Sequence, residues 1–278
     1  MKVLILGAKG SLGQTFVDLY HDQEVTAWDR AELDVTDEDL VMQKITELKP
    51  DLVINCAAYN AVDKAEEDRG TAELLNANAV GFIAKACKEV GVTMVHFSSA
   101  YVFDGTNPAG YNEDDSTKPL SVYGESKLMG ELELMENLEN YYIIRTTWLY
   151  GRDSETGKPS FVDLMLKLGS GDQVFNGIED EFGQPTYVVD LAHAVRALTE
   201  EKKPFGIYHL TNSGQASWYD WAREIFKIKG IDAKLLPGKK DEFLRAAKRP
   251  QYGILNNTKF IQLRPWTEAL REYLNESK

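Results

Sequence analysis

Tyr123 and Lys127 stand four residues apart in the stretch Tyr123-Gly124-Glu125-Ser126-Lys127. In a helix that spacing puts the phenol and the ammonium on one face. A phenol with an ordinary pKa of about 10 is a poor proton donor or acceptor near neutrality. A neighbouring ammonium favours the phenolate and brings the group into range. Ser98 and Ser99 end an apolar run, and a hydroxyl there can hydrogen-bond a substrate carbonyl oxygen. Such a trio suits proton transfer to a carbonyl oxygen during reduction. Singly the signals are weak: two helix residues at this spacing arise by chance, and serines at a strand end make turns or caps.

A second constellation lies at the start of the chain. Gly7-Ala8-Lys9-Gly10-Ser11-Leu12-Gly13 has the spacing G-x-x-G-x-x-G and sits between a first apolar run and a first helical pattern. Glycines there let the backbone approach a pyrophosphate, whose charge meets the helix N-terminus. Three glycines alone also make a plain turn, and it is the order strand, loop, helix that favours a dinucleotide. Asp29, about 20 positions on, suits the ribose hydroxyls of NAD, and Arg30 beside it suits the 2′-phosphate of NADP. Both features are present, so NADH and NADPH stay open. Asp34 and Val35 follow, and Asn55-Cys56-Ala57-Ala58 after the third apolar run leaves room for a cofactor or for tight packing.

The elements that must position these residues alternate through the first half. Strands are expected at Lys2–Leu6, Glu24–Trp28, Leu52–Asn55, Val92–Phe97 and Tyr142–Arg145. Helices are expected at Leu12–Tyr20, Glu38–Leu48, Thr71–Val90 and Ser126–Leu138, with Gly91 closing the third. This order implies a parallel sheet covered on both faces, with ligands at the carboxyl ends of its strands. Beyond Trp148 the pattern predicts helices at Phe161–Leu168, Asp190–Thr199 capped by Asp190, Ser217–Lys229 capped by Ser217, and Pro265–Leu274, with a strand at Ile207–Leu210. The fold class expected is α/β: a Rossmann-type doubly wound parallel sheet with a smaller C-terminal α/β domain that binds substrate. Residues 1–147 with about 187–207 would form the first domain, and about 148–186 with 208–278 the second.

Composition narrows the partners. The 278 residues carry a net charge of −13, which argues against a nucleic-acid surface or an anionic membrane patch. No apolar run approaches the roughly 20 residues that span a bilayer, and the apolar start is too short for a signal peptide. A cytoplasmic protein, monomer or homodimer, is the expectation. Cys56 and Cys87 read as free thiols. His21, His96, His193 and His209 show no metal-ligand spacing and read as structural, so no metal is expected.

Together the glycine loop after strand one, the serine after strand four and Y-x-x-x-K before strand five resemble the short-chain dehydrogenase/reductase superfamily. The loop spacing and the added C-terminal part resemble its extended branch, and within it the dTDP-4-dehydrorhamnose reductase family. The resemblance covers nearly the whole chain. It rests on Asn55 through Glu66, Tyr101-Val102-Phe103-Asp104-Gly105, Tyr123 through Lys127 with Gly130-Glu131, and Arg145-Thr146-Thr147-Trp148. Phe182 through Thr186, Tyr208-His209-Leu210, Ser217-Trp218-Tyr219 and Arg249-Pro250 complete it.

The resemblance implies NAD(P)H-dependent reduction of the C4 keto group of a nucleotide-linked 6-deoxysugar, dTDP-4-dehydro-β-L-rhamnose to dTDP-β-L-rhamnose, a precursor for cell-surface polysaccharide. It implies Tyr123 as proton donor, Lys127 on the nicotinamide ribose, and Ser99 where the family usually has threonine. Gly7, Gly10, Ser11, Leu12, Gly13, Asp29, Arg30, Asp34, Val35, Ala57, Ala58, Tyr59, Asn60, Asn78 and Phe97 would meet or support the cofactor. Val62, Ser99, Ala100, Tyr101, Trp148 and Arg249 would meet the substrate. Ala100 replaces the family's usual aspartate, which puts the sugar in question rather than the chemistry. Thr15 stands where some members carry a glutamate that binds Mg²⁺ between subunits. Arg245, Lys248 and Arg249 form a basic cluster suited to a diphosphate or to a solvated face. Two other readings of the scaffold are an epimerase or dehydratase that recycles its cofactor, and a non-catalytic binding subunit like the regulatory subunit of methionine adenosyltransferase.

Overall fold

Alternation of side chains decides the central sheet. Val3 and Ile5 point to one face and Leu4 and Leu6 to the other, and all four are buried. A strand apolar on both sides must be covered on both sides, which is the condition of an interior parallel strand. The computed structural model describes residues 1–151, 155, 157 and 159–276. In it β1 (Lys2–Leu6), α1 (Ser11–Leu19), β2 (Glu24–Trp28), α2 (Glu38–Leu48), β3 (Leu52–Asn55), α3 (Val62–Ala65) and α4 (Arg69–Glu73) follow in turn. A π-helical turn at Leu74–Asn78 joins α4 to α5 (Ala79–Val90). Then come β4 (Thr93–Ser99), a 3-10 turn at Ala100–Val102, α6 (Val122–Asn137), β5 (Tyr141–Thr146) and β6 (Leu149–Tyr150).

The second half holds α7 (Phe161–Gly169), β7 (Phe175–Ile178), β8 (Phe182–Gly183), β9 (Thr186–Tyr187), α8 (Val188–Glu200) and β10 (Gly206–His209). It continues with β11 (Asn212–Ser213), β12 (Ala216–Ser217), α9 (Trp218–Lys229), β13 (Leu235–Gly238), β14 (Leu263–Pro265) and α10 (Trp266–Glu276). The main sheet runs β2-β1-β3-β4-β5-β10 with every neighbour parallel. The order reverses between β1 and β3, so the crevice at their carboxyl ends is the ligand position of such a sheet.

Val41, Ile45, Val80, Ile83 and Ala84 cover one face from α2 and α5. Phe16, Leu191 and Val195 cover the other from α1 and α8. That second core runs on without a break into Trp221, Ile225, Leu270 and Leu274 of α9 and α10.

Local chemistry explains most boundaries. Asp37 caps α2, accepting from Leu40 N at 3.0 Å. Ser217 and Asp220 form a reciprocal capping box at α9, and Gly91 ends α5 in the left-handed conformation. Four expectations change. α6 begins at Val122, not Ser126, because Ser121 caps it, accepting from Gly124 N at 3.2 Å. The helix expected over Thr71–Val90 contains the π turn. Asp190 lies inside α8, which starts at Val188, and does not cap it. Its carboxylate holds Arg264 at 2.8 Å on both oxygens and accepts from Asn212 Nδ2 at 2.7 Å. Pro265 ends β14 rather than opening the last helix.

Candidate active site

α6 carries a stripe of three ionisable residues one turn apart, Tyr123, Lys127 and Glu131, and all three are buried. The stripe faces the ends of β4 and β5. Tyr123 meets Ser99, whose hydroxyl pulls the phenol's pKa down while burial pushes it up to about 12. The expected lowering by the neighbouring ammonium is therefore not met, because burial dominates and only Ser99 opposes it, and the phenol stays protonated at neutral pH, the state a proton donor needs. Ser99 Oγ also accepts from Tyr101 N at 3.2 Å, and the Tyr101 and Tyr123 rings meet edge-on at 5.4 Å. Tyr59 and Val62 pack into the same cluster. Burial brings the Lys127 ammonium down to about 8, with Glu131 opposing.

Two glycines let α6 come this close. A Cβ on Gly124 would lie 2.3 Å from Tyr101 O, and one on Gly130 would lie 2.0 Å from Asn76 O.

Glu131 closes the stripe with a buried ion pair. Arg145 donates from Nε at 2.9 Å and Nη2 at 2.6 Å, and Ser98 Oγ donates to the same carboxylate. Arg145 Nη1 reaches Glu113 O at 3.2 Å, and the guanidinium lies over the Phe103 ring at 5.1 Å. Sequence reasoning missed this frame, although Gly130-Glu131 and Arg145 were among its motifs.

It also missed Asn76 and His96. Asn76 in the π turn accepts from Tyr59 N at 2.8 Å and donates to Tyr59 O and Ser126 Oγ, both at 3.0 Å. It ties the loop after β3 to α6. Asn78, the asparagine expected to support the site, is exposed. His96, read as structural, lies with Nε2 3.4 Å from Lys127 Nζ.

The glycine loop sits across the switch point. Gly7 has φ +71, and a Cβ on it would come within 2.7 Å of Ala57 N. A Cβ on Gly13 would lie 2.3 Å from Gly7 O. α1 has no side-chain cap at Gly10, and the buried Ser11 hydroxyl has no partner. An orphaned hydroxyl and uncapped N–H groups beside a glycine cradle fit a pyrophosphate. A cleft of about 240 Å³ adjoins the loop, lined by Ala8, Lys9, Asp29, Glu32 and Glu155 among others.

Gly13→Val is expected to weaken pyridine-nucleotide binding at least tenfold in a direct titration, because the loop must open to admit the side chain. Binding at the wild-type level would show that the loop does not cradle the nucleotide.

Other candidates sit differently from expectation. Asp29 accepts from Lys9 N at 3.0 Å and Arg30 N at 2.6 Å, so it braces the loop, while Arg30 is exposed. Asp34 accepts from Thr36, and Val35, Leu12 and Phe97 are core residues. Ala58 and Asn60 lie in the segment between β3 and α3. The Ala100 methyl is buried among Val102, Phe103, Tyr111 and Leu255 rather than presented to a sugar, because the 3-10 turn directs it inward. Trp148, at φ +47, stacks on Trp218 at 3.8 Å, and only a glycine at 183 leaves room for its ring. Arg249 is near Tyr101 but forms a fork on Asp63 at 3.0 and 2.6 Å. Arg245 pairs likewise with Glu181, and Lys248 is exposed. The expected basic cluster is thus two compensated ion pairs, a weaker clamp for a diphosphate than three unpaired cations.

Residues 1–278 match the family model described as the RmlD substrate binding domain. A dTDP-4-dehydrorhamnose reductase of Streptomyces griseus is 37% identical over 97% of this chain and 91% of its own length. The chain belongs to the dTDP-4-dehydrorhamnose reductase family. Solved members share its fold closely. One from Clostridium acetobutylicum is 40% identical with a TM-score of 0.95, covering 100% of this chain and 99% of that one. One from Bacillus anthracis, in complex with NADP, is 35% identical with a TM-score of 0.94, covering 99% of each. Within this reductase family the Rossmann-type fold, the oxidoreductase class and the use of NAD(P)H follow together.

Proposed function

We propose that this chain reduces the C4 keto group of a dTDP-linked 4-keto-6-deoxysugar, with dTDP-4-dehydro-β-L-rhamnose as substrate. The observation that carries this reading is the meeting of Ser99, at the end of β4, with Tyr123 on the α6 face that also bears Lys127, beside a glycine cradle, in a chain that matches this reductase family end to end. A reduced nicotinamide, when bound, supplies the hydride. Tyr123 gives its phenolic proton to the C4 oxygen, and the ketone becomes an alcohol. Ser99 shares a hydrogen bond with the phenol and is placed to hold the same oxygen. Lys127, as an ammonium, favours the phenolate left behind until solvent returns the proton.

Residues 1–147 with about 187–207 would carry the cofactor, the second segment extended to His209 because β10 joins the main sheet. The remaining residues after Trp148 would hold the nucleotide-sugar. Arg30, exposed and beside an occupied Asp29, favours NADPH. No described helix is long and apolar enough to cross a membrane, and the reading places the enzyme in the cytoplasm as a monomer or homodimer.

The test is cofactor oxidation, followed by near-ultraviolet absorbance with NADPH and NADH, against a panel of nucleotide 4-keto sugars. One mole of cofactor oxidised per mole of dTDP-sugar reduced is expected. Turnover of sugar without net oxidation would mean an epimerase or dehydratase, and binding without turnover a non-catalytic subunit.

A further inference from the structure

His96 is a buried polar residue among the apolar Met94, Val95 and Phe97 of β4, and its ring spans the space between two functional elements. One ring nitrogen, Nδ1, lies 3.3 Å from Asn55 Nδ2, and the other, Nε2, lies 3.4 Å from Lys127 Nζ. The proton on the ring can be assigned from its neighbours. Ala57 N–H can only donate, and it donates to Asn55 Oδ1 at 3.1 Å. That fixes the Asn55 amide, so its NH₂ faces His96, and Nδ1 must accept. A neutral imidazole that accepts at Nδ1 carries its hydrogen on Nε2. Burial and the nearby Lys127 charge both hold His96 well below its ordinary pKa, so the ring is neutral.

The Nε2–H group therefore points at Lys127. An amine can accept that hydrogen and an ammonium cannot. We propose that His96, held in its Nε2–H tautomer by Asn55, is a positioning residue for Lys127 that presents a donor to the amine and so makes its protonation harder. Among the described residues the lysine has no carboxylate within ion-pair distance. The other groups around it do not reverse this. On α6 itself Tyr123 is neutral, and Glu131 pulls toward the ammonium but is already bound by Arg145 from β5 and Ser98 from β4. The π turn offers only Asn76, which is spent on Tyr59 and Ser126, and β3 acts through Asn55. Desolvation works in the same direction as the imidazole.

The consequence follows from the proposed reduction, in which Lys127 as an ammonium supports the departing proton. A lysine that is easily deprotonated sets the alkaline limit of activity, and His96 sets where that limit falls. The inference rests on Lys127 being the site lysine, and its test needs neither sugar nor cofactor.

In cofactor-free protein labelled at lysine 13Cε, Lys127 is identified by the resonance that Lys127→Arg removes, and its titration is followed by NMR. His96→Gln replaces the fixed donor with an amide that can turn its carbonyl toward the ammonium. The expected result is at least a tenfold gain in proton affinity at Lys127, with the other lysines unmoved. In 15N-histidine-labelled wild type, His96 should show the Nε2–H pattern. An unmoved Lys127 midpoint in folded His96→Gln would overturn the proposal. So would an Nδ1–H pattern in wild type, which decides the matter even where the variant does not fold. If the NMR result holds while no 4-keto sugar is reduced, the functional reading fails and the tautomer assignment stands.

Discussion

Tyr123→Phe should lower kcat for sugar reduction by roughly 10²–10⁴-fold, the range that a positioned proton donor contributes, while cofactor binding stays close to wild type. Phenylalanine keeps the edge contact with Tyr101 and the apolar packing against Val62 and Ala65, so the fold has no reason to change. What is lost is the hydroxyl that meets Ser99. The alkoxide forming at C4 would then draw its proton from water in a site where burial has excluded most of it. The check is kcat and the cofactor dissociation constant measured on the same preparation. A kcat within threefold of wild type would move the acid to another group. Equal loss of cofactor binding would mean that the phenol holds the nucleotide rather than protonating the product.

Arg145→Met carries the second large effect, on stability. The Glu131 carboxylate is fully buried, and Arg145 satisfies both of its oxygens. Methionine fills similar volume but leaves a charge without its partner. Breaking a buried pair from one side costs about 3–5 kcal/mol. For a chain of this size the melting temperature should fall by on the order of 10 °C, read by thermal unfolding. The double variant Arg145→Met/Glu131→Leu should recover part of the loss, because no buried charge remains. A single variant as stable as wild type would show that Glu131 takes up a proton at little cost, and the ion pair would not be the frame of the site.

The parts of this protein that were legible in its sequence are those in which local spacing and burial agree. Val3 to Leu6 alternate between two cores, and the glycines at 7, 10 and 13 follow at once, so strand, cradle and helix could be placed together. The Tyr123 and Lys127 face was legible for the same reason. Asn78, which the resemblance implied as a support of the site, is exposed, and no spacing in the sequence marks the π turn at Leu74–Asn78. The π turn adds a residue there and rotates the face, so Asn76 meets Tyr59 and Ser126 while Asn78 looks outward. The Arg249 and Asp63 pair was hidden for another reason: the partners lie in distant parts of the chain, and a basic cluster read alone looks uncompensated. His96 was hidden because a strand residue's neighbours come from other elements, here β3 and α6.

The apolar core that runs unbroken from Val3 and Phe16 through Leu191 to Trp221, Leu270 and Leu274 has a bearing on whether the two halves part. Enzymes built as two bodies on a hinge admit ligands by swinging apart, and they do so across a thin, wettable seam. Here the apolar packing is continuous from one half to the other, with no wet layer between them, and parting it would cost about 1.5–3 kcal/mol for each large side chain exposed. A dry seam of this kind resists parting, so the two halves share one core and stand or fall together on unfolding.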